Sequence, residues 1–499
     1  MRAVKAYLEV RLQRIHVTRG ERSVLRAINW HIRPGQHWVL VGANGAGKTQ
    51  LLKLIAGAVW PVPERHPLRR YRWGKQVRTT PYEAQDEIAY VGPERQDRYE
   101  RYGWNHSVEQ VIGTGIHRSD IPLLELSATD LRTIGALARQ LDITQLLSRR
   151  FLTLSYGERR LVLLARAIAS RPRLLLMDEL LNGLDAARHA KALRFLAATR
   201  RSPLPWVLSV HRPQDVPAAA THALILESGR IAYRGPLSRA PLARWFARAA
   251  RAAGVAAAPP RGLRVRPRNR GRAPLLVRLT GAEVFLDEHR ALSGITLTVR
   301  RGECWVIHGP NGSGKSSLIR TIYGDHGVAA GGRIERAGIL PGVPLENFKR
   351  RVGLVAPHLQ ADHPRALSVA EVVQSGRHAS IGLASAPSAA DRAAARAALA
   401  FFGMQGFARR PLAELSYGQL RRVLFARAWA GKPELLLLDE PYSGLDARTR
   451  HALMRHLDEL VAAGTTVVLA THNREEWPTA ASHELALSNG RPVWCGPIR

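Results

Sequence analysis

Cysteine, long apolar stretches and acidic residues are all scarce in this sequence. The two cysteines, Cys304 and Cys495, are too few for a disulfide framework and lack the spacing of a zinc site. No stretch approaches the roughly 18 uncharged apolar residues that span a bilayer. The opening residues, MRAVKAYLEVRLQRIHV, also lack the apolar core and the cleavage site of a secretory signal. We therefore expect a cytoplasmic protein.

Acidic residues are outnumbered by basic ones. Lysine and arginine together number 74 against 40 aspartates and glutamates, which gives a formal net charge of +34. A charge of this size attracts polyanions such as nucleic acid, anionic lipid or nucleotide phosphates. Arginine and alanine are abundant along the whole chain, so a general compositional bias accounts for the charge as well as a dedicated polyanion surface does.

The sequence contains two copies of one long pattern. VLVGANGAGKT at 39–49 recurs as VIHGPNGSGKS at 306–316. Further along, Ser155, Asp178 and His211 each recur 261 residues later. A constant offset over this length indicates two copies of a whole domain, since solenoid repeats have periods of only about 20–50 residues.

The predicted domains span residues 1–240 and 274–499. Between them, PLARWFARAARAA at 241–253 has the pattern of a short amphipathic helix. Prolines and glycines then interrupt regular structure, so the rest of 241–273 is predicted to be an arginine-rich flexible linker. This linker is either a solvated tether or a contact for a polyanion.

GANGAGKT and GPNGSGKS each match the phosphate-binding pattern G-x-x-x-x-G-K-[ST] between an apolar run and a helical pattern. Glycines let backbone N–H groups curl around phosphate oxygens, and the helix N-terminus adds positive potential. We expect Lys48 and Lys315 to reach the β- and γ-phosphates, and Thr49 and Ser316 to bind Mg²⁺. The predicted ATP-binding residues of the two loops are Gly42, Asn44, Gly45, Gly47, Lys48, Thr49 and Gln50, and Gly309, Asn311, Gly312, Gly314, Lys315, Ser316 and Ser317.

RLLLMDE and LLLLDE are short apolar runs that end in paired acids. Such runs between helical patterns predict buried parallel strands, whose carboxyl ends are where ligands bind in open α/β sheets. Asp178 and Asp439 are predicted to hold the Mg²⁺ shell. Glu179 and Glu440 are predicted to orient and deprotonate the attacking water.

A histidine ends a later apolar run in each copy. His211 closes WVLSVH and His472 closes TVVLATH, each 33 residues after its aspartate. A histidine at this place can hydrogen-bond the γ-phosphate or the attacking water. One such histidine would more often be structural, but two at matching offsets favour a catalytic role.

The pentapeptides LSYGE and LSYGQ each open an arginine-studded apolar helix. Ser155 with Glu158, and Ser416 with Gln419, fit a capping box, in which the two side chains satisfy free backbone N–H groups at a helix start. Taken alone, each pentapeptide is therefore a helix cap.

In combination, the P-loops, the Asp-Glu strand ends, the two pentapeptides and the histidines resemble the ATP-binding cassette (ABC) ATPases over nearly the whole chain. The resemblance implies an α/β fold with two tandem P-loop NTPase domains, each a mixed sheet core with a helical signature subdomain. It also implies that MDELLNGLD and LDEPYSGLD contain D-loops, in which Asp185 and Asp446 contribute to the ATP sites.

In this family, nucleotide-binding domains dimerise head to tail, and each signature motif closes over ATP held by the other P-loop. The resemblance therefore implies an intramolecular dimer of the two domains. Ser416 and Gly418 would complete the Lys48 site, and Ser155 and Gly157 would complete the Lys315 site. ATP and Mg²⁺ are the implied cofactors.

Within the family, the chain is similar to ModF-type tandem ATPases, which are associated with molybdate transport and are also called photorepair proteins. GQHW and GECW before the P-loops and YGDH after the second P-loop helix support this finer likeness. Two positions depart from the family pattern. Pro93 and Pro357 stand where a glutamine is usual, with Gln96 and Gln360 three residues later, and Arg19 lies near the place of the aromatic residue that stacks on adenine.

Three function classes fit these observations. The first is the energising ATP-binding subunit of a membrane transporter, peripheral at the inner face of the membrane and paired with separate transmembrane permease subunits. The second is a ribosome- or nucleic-acid-associated ATPase, and the third is a regulatory or repair-linked switch. The short broken linker and the sequences NGLD and SGLD, common in transport ATPases, favour the first class.

Overall fold

A computed structural model shows two compact units, Met1–Arg251 and Ala252–Arg499. The described residues are 6–19, 22–43, 45–63, 69–182, 184, 186–252, 273–286, 289–310, 312–443, 445 and 447–498. Asn44, Asn311, Asp185 and Asp446 lie outside them, as does the predicted linker beyond residue 252. The domain boundaries at 240 and 274 therefore stay predictions.

The first unit combines strands and helices in alternation. Its strands are β1 (Glu9–Arg19), β2 (Arg22–Ile32), β3 (His37–Gly42), β4 (Arg69–Trp73), β5 (Gln76–Arg78), β6 (Ile88–Val91), β7 (Leu174–Met177), β8 (Trp206–Val210), β9 (His222–Glu227) and β10 (Arg230–Pro236). Its helices are α1 (Lys48–Ile55), α2 (Pro93–Arg101), α3 (Val108–Ile116), α4 (Ala128–Gln140), α5 (Tyr156–Ala169), α6 (Ala186–Ala198) and α7 (Leu242–Ala252).

The second unit repeats this order. Its strands are β11 (Leu275–Leu286), β12 (His289–Arg300), β13 (Cys304–His308), β14 (Arg333–Arg336), β15 (Val352–Val355), β16 (Leu435–Asp439), β17 (Thr466–Ala470), β18 (His483–Ser488) and β19 (Arg491–Pro497). Its helices are α8 (Lys315–Tyr323), α9 (Glu346–Lys349), α10 (Pro357–Asp362), α11 (Val369–Ser375), α12 (Ala389–Phe401), α13 (Tyr417–Trp429) and α14 (Ala447–Ala462).

Each unit is centred on a mixed sheet that carries the P-loop strand. In the described residues the strand order is β10-β9-β3-β8-β7-β6 in the first unit and β19-β18-β13-β17-β16-β15 in the second. All neighbours are parallel except the edge pairs β9–β10 and β18–β19. Strands β3, β7 and β8 are buried along their whole length, as parallel strands covered on both faces must be. The predicted α/β fold is confirmed.

A second, antiparallel sheet lies beside each central sheet, in the order β2-β1-β4-β5 in the first unit and β12-β11-β14 in the second. One apolar core fills the space between the two sheets and the P-loop helix. Another core joins the opposite face of the central sheet to the helices α3, α4 and α5, or α11, α12 and α13. The helical subdomain of each unit, which contains the helix that the pentapeptide opens, therefore packs on the central sheet of the same unit.

The predicted amphipathic helix after the first domain is present as α7, and Phe246 of this helix is buried in the core of the first unit. Among the described residues, no helix has the length and apolar character needed to cross a membrane.

A glycine in each unit sets how closely two helices of the subdomain approach. A Cβ built on Gly115 of α3 would lie 2.0 Å from the carbonyl oxygen of Arg166, and one on Gly376 would lie 2.0 Å from that of Arg427. We expect Gly115→Ala to destabilise the first unit by about 1–3 kcal/mol, because the helices must separate to admit the methyl group. Calorimetry of thermal unfolding should show a lower unfolding midpoint for this variant than for the unchanged protein.

Gly135 offers a matched control, because it lies inside α4 and a Cβ added there would meet no neighbouring atom within 4 Å. Gly135→Ala should stabilise the helix by roughly 0.5–1 kcal/mol through lower backbone entropy of the unfolded chain. An unfolding midpoint for Gly115→Ala equal to or above that of Gly135→Ala would contradict the close-packing interpretation.

Candidate functional site

The P-loop of each unit connects a buried strand to a helix through glycines in left-handed conformations. Gly47 and Gly314, which immediately precede α1 and α8, have φ values of 103° and 98°. A Cβ on Gly47 would lie 2.8 Å from Leu25 Cδ2, and one on Gly314 would lie 2.6 Å from Leu292 Cδ2. Both the φ angle and the close approach therefore require glycine at this position.

The two P-loop lysines are buried within their own loops. Lys48 is 6% exposed and Lys315 is 5% exposed. Lys48 Nζ donates to the carbonyl oxygen of Gly42 at 2.7 Å, and Lys315 Nζ donates to that of Gly309 at 2.9 Å. Each ammonium group is thus held by carbonyl oxygens at the start of its own loop.

Other predicted phosphate-binding residues lie at the start of the helix that follows each P-loop. Thr49 and Gln50 lie in the first turn of α1, and Ser316 and Ser317 lie in the first turn of α8. Gln50 Oε1 is buried without a hydrogen-bond partner in the described part of the chain. It is an acceptor available to a ligand or a water at this end of the loop.

The predicted aspartates meet the P-loop hydroxyl groups. Asp178 follows β7 directly; burial raises the pKa of this carboxyl, and the Thr49 side chain beside it acts in the opposite direction. Asp439 ends β16 and accepts a hydrogen bond from Ser316 Oγ at 2.9 Å. Residues that are far apart in the sequence thus form the same hydroxyl–carboxylate pair in both units.

Each aspartate is buried and lies next to a second carboxylate. Burial and the adjacent Glu440 raise the pKa of Asp439 to about 6. Burial and Glu179 likewise raise the pKa of Asp178. A buried pair of acids beside a hydroxyl oxygen suits a small divalent cation, because Mg²⁺ prefers oxygen ligands and supplies the missing countercharge. The residues therefore fit the Mg²⁺ ion that the sequence resemblance implies.

Each predicted histidine lies near the predicted glutamate of its own unit, with different geometry in the two units, a proximity that the sequence did not predict. His472 Nδ1 lies 2.9 Å from Glu440 Oε2 and 3.0 Å from Oε1, and this hydrogen bonding raises the pKa of His472. His211 Nε2 lies 3.7 Å from Glu179 Oε1, beyond hydrogen-bond distance. The second histidine thus hydrogen-bonds its glutamate, whereas the first lies near its glutamate without a hydrogen bond.

Both pentapeptides form the predicted capping boxes. Ser155 N donates to Glu158 Oε2 at 2.8 Å, and Ser416 N donates to Gln419 Oε1 at 2.9 Å. In return, each serine hydroxyl accepts from the backbone N–H three residues later. The cap fixes the N-terminus of α5 or α13, where Gly157 and Gly418 are buried in the first turn.

Sequence reasoning missed a buried arginine in each pentapeptide helix. The Arg160 side chain lies over the ring of Tyr156, and Arg160 Nη2 donates to the tyrosine hydroxyl at 2.6 Å. Arg421 makes the same contacts with Tyr417, with a hydrogen bond of 2.9 Å. The repeat contained the signal, because both copies place arginine five residues after the capping serine.

The prolines that depart from the family pattern have a structural role. Pro93 and Pro357 are the first residues of α2 and α10, the helix position at which proline is most favourable. Gln96, three residues into α2, is 2% exposed, and its Oε1 has no hydrogen-bond partner among the described residues. The segment after β6 is therefore a helix start with a buried amide.

Comparison with known proteins identifies the family. The family model described as "ABC transporter" matches residues 25–182 and 292–443, once in each unit. The chain belongs to the ABC transporter ATP-binding family. Its two cassettes bind and hydrolyse ATP, as the sequence predicted.

Two relatives match this chain over nearly their whole length. The chain is 30% identical over 464 residues to the ABC transporter ATP-binding protein ModF of Escherichia coli, covering 91% of each chain. It is 26% identical to an uncharacterized ABC transporter ATP-binding protein of Schizosaccharomyces pombe, covering 94% of this chain and 96% of the relative. Among solved structures, a dimeric ATP-binding cassette bound to ADP and Pi after hydrolysis is 26% identical, with 45% of this chain and 99% of that chain covered and a TM-score of 0.40.

Proposed function

We propose that this chain is the energising ATP-binding subunit of a membrane transporter and that it hydrolyses Mg-ATP at two composite sites. The observation that carries the proposal is the repetition, in both units, of a buried P-loop lysine, a hydroxyl–aspartate pair and a glutamate beside a histidine. The likeness to ModF over 91% of each chain supports the same tandem organisation.

In each site, the P-loop backbone and its lysine bind the β- and γ-phosphates. Thr49 with Asp178, and Ser316 with Asp439, would hold Mg²⁺, which neutralises charge on the phosphate oxygens when bound. The lysine side chains are buried, so their contacts with phosphate are stronger than they would be at an exposed surface. Binding and orientation of the triphosphate are thus the work of the P-loop and of the strand end beside it.

Glu179 and Glu440 act as general bases that take a proton from the attacking water. His211 and His472 hydrogen-bond the γ-phosphate or the attacking water. In the second cassette, His472 also hydrogen-bonds Glu440 and so orients the base.

The two cassettes pair head to tail within one chain. Ser416 and Gly418 then complete the site of Lys48, and Ser155 and Gly157 complete the site of Lys315. A serine-capped helix start suits an incoming γ-phosphate, because its free N–H groups and positive potential face the anion. Asp185 and Asp446 are proposed to contribute from the D-loops.

ATP binding closes the two cassettes, and this change of conformation drives transport. A ligand shifts a conformational equilibrium only by its difference in affinity for the two states, and the γ-phosphate contacts both cassettes only when they are closed. Transmembrane permease subunits are the proposed partners that respond to this closure, so the protein would lie at the inner face of the membrane.

The proposed cargo is molybdate, from the likeness to ModF-type proteins. A second candidate is manganese, since residues covering 40% of this chain are 36% identical to the manganese transport system ATP-binding protein MntB of Bacillus subtilis. Elemental analysis of cells that express the chain with its permease separates the two. Accumulation of neither metal would overturn both assignments.

Membrane fractionation tests the transporter role. The protein should sediment with membranes when its neighbouring permease is co-expressed, because transmembrane subunits provide its docking site, and should stay in the supernatant without the permease. Weak binding to ribosomes at low salt should disappear as salt rises, because it would arise from the arginine excess alone. Salt-resistant sedimentation of the ATP-bound protein with ribosomes would instead favour the nucleic-acid-associated class.

A further inference from the structure

The first cassette surrounds its buried aspartate with hydroxyl groups from both neighbouring strands. Ser209 Oγ, on β8, donates to Asp178 Oδ1 at 2.9 Å. The Tyr90 hydroxyl, on β6, donates to Asp178 Oδ2 at 3.2 Å. Two hydroxyl groups from the neighbouring strands therefore hydrogen-bond one carboxylate, one on each oxygen.

The second cassette lacks both of these groups at equivalent positions. Tyr90 pairs with the residue two before Asp178, and Leu354 pairs with the residue two before Asp439. By the same register, Ala470 occupies the place of Ser209. Among the described residues, the hydroxyl donor to Asp439 is Ser316 Oγ.

Ser209 also changes how the glutamate backbone is held. Its Oγ accepts from the backbone N–H of Glu179 at 2.7 Å while it donates to Asp178. In the second cassette, the backbone N–H of Glu440 donates to the carbonyl oxygen of Ala470 at 3.0 Å. One serine thus ties both acids of the first cassette to β8, and the second cassette uses the backbone alone.

We propose that Tyr90 and Ser209 are positioning residues that make nucleotide binding in the first cassette less dependent on Mg²⁺ than in the second. The inference rests on the proposed metal-binding role of Asp178 and Asp439. Hydroxyl donors already stabilise the Asp178 carboxylate, and a metal ion with its waters must compete with them for the same lone pairs. Asp439 has lone pairs free of such competition from its strand neighbours.

The expected difference in Mg²⁺ dependence between the two cassettes is estimated from the loss of one hydrogen bond to Asp178 when the metal ion binds. A carboxylate has about four acceptor sites, so two protein donors, one on each oxygen, leave fewer sites for a metal ion and its waters. Losing one hydrogen bond to a charged group corresponds to about tenfold in a binding constant. We therefore expect the ratio of ADP dissociation constants, in EDTA over that in Mg²⁺, to be about tenfold smaller in the first cassette.

To measure one site at a time, the other site is disabled by replacing its P-loop lysine. Calorimetric titration of ADP into Lys315→Ala reports the first cassette, and titration into Lys48→Ala reports the second. ADP is used because it is not hydrolysed and lacks the γ-phosphate that closes the cassettes. Each titration is run in Mg²⁺ and in EDTA, so the readout is a binding ratio independent of turnover.

Removing the extra hydroxyl groups should convert the first cassette to the behaviour of the second. In the Lys315→Ala background, Tyr90→Phe with Ser209→Ala should raise the Mg²⁺ ratio about tenfold. Tyr90→Phe alone, which keeps the partly buried ring, should raise it in part. The matched control is Tyr233→Phe, which removes a hydroxyl that donates to the carbonyl oxygen of Pro236 on an edge strand, and it should leave the ratio unchanged.

Equal ratios in the two cassettes, or an unchanged ratio in folded Tyr90→Phe, would overturn the inference. Asp178→Asn separates this outcome from failure of the underlying metal role. If Asp178→Asn leaves the Mg²⁺ ratio of the first cassette as it was, Asp178 does not hold the metal and the inference fails with its premise. Sedimentation with the permease is independent of either result.

Discussion

Glu179→Gln combined with Glu440→Gln is expected to bind ATP normally and to lose hydrolysis by about 10²–10⁴-fold, the usual contribution of a general base. Glutamine keeps the size of the side chain but cannot accept a proton from water. The buried lysines and the hydroxyl–aspartate pairs that bind the triphosphate are untouched. Phosphate release and ATP affinity, measured on the same preparation, separate the two effects.

Lys48→Ala combined with Lys315→Ala provides the contrasting control. Each buried ammonium group lies inside its P-loop, so its loss should weaken ATP binding itself. Full hydrolysis in the glutamine variant would contradict the role of the glutamates. The single variants show whether the two sites turn over equally, since His472 engages Glu440 more closely than His211 engages Glu179.

The parts of the site that the sequence predicted are those fixed by local rules. The left-handed glycines, the buried strands that end at Asp178 and Asp439, and the serine caps each depend on residues close together in the chain. The repeat then placed them in register, because an offset that holds from one landmark to the next implies the same strand order twice.

The parts that the sequence did not predict depend on contacts across the sheet. Tyr90 is 88 residues from Asp178, and it looks like an ordinary strand aromatic until the register of β6 and β7 is known. Ser209 lies in a fully buried strand, where serine gives no sign of a partner. The buried Arg160 is a different case, because its partner Tyr156 lies one turn earlier on the same helix, and one arginine among several in this helix gives by itself no sign that it is buried.

Ser416→Arg is expected to inactivate the site built on Lys48 and to spare the one built on Lys315. The bulky cation would fill the space at the cap of α13 that the γ-phosphate of the other cassette's ATP must enter. Combined with Lys48→Ala it should add little further loss, because both changes remove the same site. Combined with Lys315→Ala it should abolish the remaining ATPase activity.

Ser368→Arg is the matched control for Ser416→Arg. Ser368 caps α11 with the same capping box, formed with Glu371, but lies outside the pentapeptides. Its replacement should cost about 1 kcal/mol of stability and leave hydrolysis intact. Equal additivity of Ser416→Arg with both lysine variants would refute the head-to-tail arrangement.

One chain should form two complete ATP sites by pairing its own cassettes. Native mass spectrometry of the Glu179→Gln, Glu440→Gln variant, loaded with Mg-ATP, tests this pairing directly. We predict a particle of one chain that carries two ATP molecules. A particle of two chains, or one chain with a single ATP at saturation, would contradict it.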